Sequence, residues 1–111
     1  MRLATVCYGT GTVTAFYGSE QKDKVVLVGI FNIDIIHAPV PKGTPIQLGT
    51  LTGYVRDETK ADGRSYFVSF DKRGWQYGVG AYLGKTPNPG LPYNKVTIDE
   101  LNAVALSLAQ R

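Results

Sequence analysis

Ser65-Tyr66-Phe67-Val68-Ser69-Phe70-Asp71-Lys72-Arg73-Gly74-Trp75-Gln76-Tyr77-Gly78-Val79-Gly80-Ala81-Tyr82 decides the fold. Two runs rich in aromatic and β-branched residues flank Asp71-Lys72-Arg73-Gly74, a tight-turn sequence, so the stretch reads as strand, turn, strand. In the second run Trp75, Tyr77, Val79 and Ala81 recur with a period of two, which places them on one face of a strand.

Upstream, residues 46–56 carry the same chemistry, with Leu48, Leu51, Tyr54 and Val55 among Thr and Gly. The charged stretch Asp57-Glu58-Thr59-Lys60-Ala61-Asp62-Gly63 reads as a loop closing on an Asp-Gly turn. Residues 46–83 are therefore expected to form a three-stranded meander.

Val25-Val26-Leu27-Val28-Gly29-Ile30-Phe31 is the strongest strand signal, and its unbroken apolar run points to the centre of a sheet. Gly29 or Asn32 is expected to mark a bulge or bend before the alternating Asn32-Ile33-Asp34-Ile35-Ile36-His37. Residues 3–8 and 12–17 are expected to pair as a hairpin across Gly9-Thr10-Gly11, within an N-terminal strand region of residues 1–38. Pro39, Pro41 and Pro45 with Gly43 then break regular structure and divide the chain into two halves.

The last element is a helix over 97–110. Thr97-Ile98-Asp99-Glu100 fits a capping box, and Val96 with Leu101 fits a hydrophobic staple. Ile98, Leu101, Val104, Ala105 and Leu108 make one apolar stripe. The fold expected is mainly β: a small antiparallel barrel or strongly curved sheet of about six or seven strands, with the amphipathic helix packed on it. Residues 1–111 are read as one domain, a length that buries roughly two-thirds of the unfolded surface. The rhythm of residues 49–83, with Tyr66-Phe67-Val68-Ser69-Phe70-Asp71 before a tight turn, loosely resembles SH3-like barrels. The resemblance implies small-barrel architecture and carries no diagnostic motif, so no family follows from it.

Composition narrows the function classes. Apolar residues make up 43% of the chain, enough for a core. One cysteine, Cys7, forbids an intrachain disulfide, and a cytoplasmic home is the expectation. No apolar run approaches the ~20 residues of a membrane helix, and the first residues do not fit a signal peptide. Twelve Lys and Arg against nine Asp and Glu give a net charge of +3, which permits a polyanionic partner without demanding one.

Gly9-Thr10-Gly11 has the glycines of a phosphate loop, but a strand follows it and no third glycine or Lys-Ser/Thr appears, so it reads as a hairpin turn. Cys7 and His37, with Asp34, hold the residue types of a nucleophile and its base, yet they lie on different expected strands. Their spacing matches no metal site, and no cofactor is expected. The adjacent pairs Asp57-Glu58 and Asp99-Glu100 point to opposite strand faces or serve a helix start.

The richest constellation is the basic and aromatic meander. Arg56, Lys60, Arg64, Lys72, Arg73 and Lys85 interleave with Tyr66, Phe67, Phe70, Trp75, Tyr77 and Tyr82. Rings that stack on bases beside cations that track a backbone bind single-stranded nucleic acid. Asp57, Glu58, Asp62 and Asp71 offset much of that charge, and cross-strand packing explains the same aromatic spacing. The leading expectation is a non-catalytic binding module for nucleic acid or protein. Arg56, Arg64 and Arg73 would be the anion contacts, and Tyr66, Trp75 and Tyr77 the stacking surfaces. Two alternatives stand beside it: a small-molecule binder or enzyme with a sheet–helix pocket near Cys7 and His37, and a homo-oligomeric assembly protein.

Overall fold

A computed structural model describes residues 2–9, 12–18, 24–32, 43–60, 63–83 and 94–111. They form seven strands and one helix. The strands are β1 (Arg2–Gly9), β2 (Thr12–Gly18), β3 (Val25–Asn32), β4 (Thr44–Leu48), β5 (Leu51–Lys60), β6 (Gly63–Lys72) and β7 (Trp75–Leu83), and the helix is α1 (Ile98–Ala109). All seven strands join one antiparallel sheet in the order β1-β2-β3-β7-β6-β5-β4. Two meanders, β1–β3 and β4–β7, meet where β3 pairs with β7. The sheet ends at β1 on one side and β4 on the other, so the described strands leave it open and do not close a barrel.

The expected N-terminal hairpin is present, with Gly9 opposite Thr12. The C-terminal meander has four strands where three were expected. Gly49, at φ +66°, turns the chain within two residues and splits 46–56 into β4 and β5. The charged stretch expected as a loop is largely strand, because β5 runs on to Lys60 opposite Gly63. β4 pairs only as far as Val55, so beyond it that edge of β5 has no partner among the described strands, a position that tolerates charge. Gly29 makes no bulge, since it sits in regular register between Thr14 and Gly78, and the sheet's irregularity falls instead between Leu3 and Thr5. Residues 33–37, including His37, lie outside the described residues.

Cross-strand partners share a face, so the register sorts every strand residue. One face carries Val26, Val28, Tyr66, Val68, Phe70, Val79 and Ala81, all buried. α1 packs there on β6, β7 and β4 through Leu101, Ala105 and Ala109, whose spacing of four makes one stripe. The capping box forms as the sequence predicts. Thr97 Oγ1 accepts from the Glu100 amide at 3.2 Å, and Glu100 Oε1 accepts from the Thr97 amide at 3.2 Å. Glu100 also bonds Lys24 Nζ at 3.0 Å and ties the helix start to β3.

Asn94 completes this anchor and is itself buried. Its Oδ1 accepts from the amides of Val25 (3.1 Å) and Val96 (3.2 Å). Its Nδ2 donates to the carbonyls of Val25 (3.0 Å) and Tyr82 (2.9 Å). One side chain thus satisfies backbone groups of β3, β7 and the segment leading into α1.

Candidate binding face of the sheet

Among the described residues no helix packs on the second face of the sheet. It is built by the alternate residues of the same strands, and the sequence makes them small at the centre. Gly29 on β3 pairs with Gly78 on β7, and Gly80 follows two residues on. A β-carbon on Gly78 would meet nothing within 4 Å, so the backbone there is the floor of an open cleft. Its volume is about 410 Å³.

Aromatic and apolar side chains wall it. Leu27 and Phe31 stand on β3, Phe67 on β6 and Tyr82 on β7. The Phe67 and Tyr82 rings meet edge to face, 5.9 Å apart at 80°. Hydroxyls of Thr14, Ser65 and Ser69 line the cleft between them. Arg56 and Glu58 stand at the rim on β5, with Arg56 Nη2 donating to Glu58 Oε1 at 3.0 Å. Both side chains are more than 40% exposed, so this ion pair contributes little to stability.

The six expected site residues do not share a face. Arg56 alone reaches the cleft. Tyr66 is buried under α1, and its hydroxyl donates to Asn102 Oδ1 at 2.8 Å. Tyr77 lies on the helix side, stacked on Phe70 with ring centres 5.0 Å apart and planes 2° from parallel. Arg64 shares that side and clasps Asp57 with two bonds, Nε to Oδ1 at 2.8 Å and Nη2 to Oδ2 at 2.5 Å. The hydrogen bond from Arg64 holds the Asp57 carboxyl below its usual range, and Asp57 in turn raises Arg64. Arg73 occupies the β6–β7 turn, and exposed Trp75 starts β7 beside it. Six residues along a strand separate Arg73 from Phe67, roughly 20 Å.

Cys7 is exposed and pairs with Thr14 on the open face, across the sheet from α1, so it does not line a pocket between sheet and helix. His37 lies outside the described residues. Among the described residues no three His, Cys, Asp or Glu side chains converge as metal ligands.

The residues missed are Leu27, Gly29, Phe31, Gly78 and the hydroxyls. A signal for them existed. If Trp75, Tyr77, Val79 and Ala81 form the apolar face of β7, then Gly78, Gly80 and Tyr82 belong to the other, and glycines along one strand face mark close approach or an opening. No helix of the described residues is long and apolar enough to cross a membrane. No protein-family model, curated protein sequence or solved structure matches the chain.

Proposed function

We propose that this chain is a non-catalytic binding module for single-stranded nucleic acid, with the uncovered sheet face as its binding surface. The observation that carries the reading is the glycine-floored cleft at Gly78 beneath Phe31, Phe67 and Tyr82. An unstacked base is flat, and it reaches a backbone floor that any side chain would block. Rings at the walls give it stacking partners, each worth about 1–3 kcal/mol per base. Arg56 and Glu58 supply a donor and an acceptor side by side at the rim, which suits the mixed edge of a base. The net charge of +3 supports the polyanion, although Glu58 keeps the rim itself near neutral. The affinity therefore rests more on stacking than on phosphate contacts. The likeness of residues 49–83 to SH3-like barrels adds nothing, because fold alone does not assign function.

The test is fluorescence anisotropy of a labelled mixed-sequence single-stranded oligonucleotide at rising salt. Binding is expected at low salt, with Arg56→Ala lowering the salt slope by about one. Tyr82→Ala is expected to weaken binding about tenfold at every salt concentration through lost stacking. Absence of binding at low salt, or binding indifferent to Tyr82→Ala, overturns the reading. Capture of an unstructured peptide by the same cleft would assign it to a protein partner instead.

A further inference from the structure

On the second face of the sheet, the register sets one small residue between an aromatic ring and an ion pair. Ser65 is the partner of Tyr82 on β7 and of Glu58 on β5. Neighbouring strands lie about 4.8 Å apart, so the Tyr82 and Glu58 positions stand roughly 10 Å from each other with the short Ser65 side chain between them. The next row of the same face runs Gly80, Phe67, Arg56. The Phe67 ring leans over Gly80, away from β5, and leaves the space above Ser65 unfilled. Among the described residues that space is bounded by a ring, a hydroxyl, a carboxylate and a guanidinium, and all four line the glycine-floored cleft.

The charged pair has a direction. Arg56 Nη2 donates to Glu58 Oε1 at 3.0 Å. A carboxylate only accepts hydrogen bonds, through two oxygens, and a guanidinium only donates, through five N–H groups. Joined in this way the pair presents acceptor, acceptor and donor in sequence: the two Glu58 oxygens, then an Arg56 nitrogen. Each base answers that row differently with its pairing edge. Guanine offers donor, donor and acceptor, from its 2-amino group, N1–H and O6. Adenine and cytosine offer an amino donor beside ring-nitrogen acceptors, which a carboxylate repels. Thymine and uracil offer one donor between two acceptors. Guanine alone matches all three positions.

We propose that the space above Ser65 selects guanine within the bound strand. Glu58 accepts from N1–H and the 2-amino group, Arg56 donates to O6, and Tyr82 packs against the base opposite Glu58. The inference rests on the reading of this face as a nucleic-acid site and adds a base preference to it. The Arg56–Glu58 bond is kept in the complex, so guanine meets a row of partners that is already assembled.

The test is competition against a labelled mixed-sequence single strand, read by fluorescence anisotropy. The competitors are oligothymidines that carry one central guanine, adenine, cytosine or hypoxanthine. The guanine strand is expected to compete about tenfold better than the adenine and cytosine strands. Hypoxanthine keeps N1–H and O6 but lacks the 2-amino group, and it is expected to lose most of that advantage. Glu58→Gln exchanges one acceptor for a donor on an exposed side chain, and it is expected to erase the guanine preference while the strands still bind. If no strand competes, the nucleic-acid reading fails and the proposal with it. If all four compete equally, if hypoxanthine equals guanine, or if Glu58→Gln keeps the preference, the guanine assignment is overturned and the nucleic-acid reading stands.

Discussion

The ring of Phe67 lies directly over Gly80, its cross-strand partner, in the space that a β-carbon on Gly80 would need. Phe31 covers Gly29 in a similar way on the neighbouring strand, whereas Gly78 between them is left bare. Two rings thus shelter two glycines, and the third glycine is the cleft floor. The open face is shaped by which glycines are covered.

Gly80→Ala and Gly78→Ala are therefore expected to differ. Alanine at 80 displaces the Phe67 ring and should cost about 1–3 kcal/mol, the range for overpacking. Alanine at 78 enters open space and should leave stability nearly unchanged, yet its methyl fills the floor and should weaken ligand binding. Denaturant unfolding of both variants, with oligonucleotide binding on each, separates the two effects.

Tyr66 and Tyr82 lie on one hairpin but on opposite faces, and their variants should separate stability from binding. Tyr66→Phe removes the hydroxyl that donates to Asn102 and should cost about 1 kcal/mol in chemical denaturation. It should leave oligonucleotide affinity unchanged, because the ring is buried beneath α1. A loss of affinity in Tyr66→Phe at full stability would put the binding face on the helix side.

Arg73 and Gly74 turn the β6–β7 hairpin with φ of 53° and 81°, the left-handed pair of a type I′ turn. Arginine is a poor residue for the first position, where asparagine is favoured. Arg73→Asn is expected to raise stability by about 0.5–1 kcal/mol, read from the denaturation midpoint. An unchanged oligonucleotide affinity would fit its distance from the cleft.

Much of this architecture is legible in the residues. The strand pattern of 65–82, the hairpin at Gly9 and the capping box at Thr97 each follow from local chemistry and need no tertiary partner. The length of β5 does not, because Asp57, Glu58 and Lys60 are charged and become strand only by pairing with β6. Site residues were harder to read for a related reason. Alternation shows that Tyr66 and Phe67 point oppositely, but which of them α1 covers is a tertiary fact. The most aromatic stripe of β7 proved to lie on the helix side, so four of the expected contacts, Arg64, Tyr66, Trp75 and Tyr77, fell there with it. Asn94 gave no local sign at all, since its partners are backbone groups of two strands distant in sequence.

Glu100 links stability to pH. The hydrogen bond from Lys24 above all, and then those from Thr97, holds its carboxyl below the usual range. A carboxyl depressed in the folded state stabilises above its unfolded value and loses that contribution as pH falls through the folded one. Glu100→Gln keeps an acceptor for the Thr97 amide but loses the charge facing Lys24. The variant should melt below the parent at neutral pH, and the gap should close as acid protonates Glu100. Melting curves across the acid range check this; a gap that persists in strong acid would mean that lost packing, not charge, separates the two.

Asn94 should be the most sensitive polar position among the described residues. Asn94→Ala strands the amide of Val25 and the carbonyl of Tyr82 where water has little access, at about 2–3 kcal/mol. Asn94→Asp is the sharper variant. It keeps the shape and the acceptor for Val25 and Val96, but it sets a second carboxylate oxygen against the two carbonyls that the amide nitrogen now reaches. An acceptor facing acceptors in a buried site repels, and burial also disfavours the new charge. Asn94→Asp should therefore destabilise at least as much as Asn94→Ala at neutral pH. It should recover in part on acidification, when the protonated carboxyl can donate to one of those carbonyls. Denaturant midpoints of the two variants at neutral and acid pH check the ordering, and an Asn94→Asp chain as stable as the parent at neutral pH would show that these four bonds do not hold α1 to the sheet.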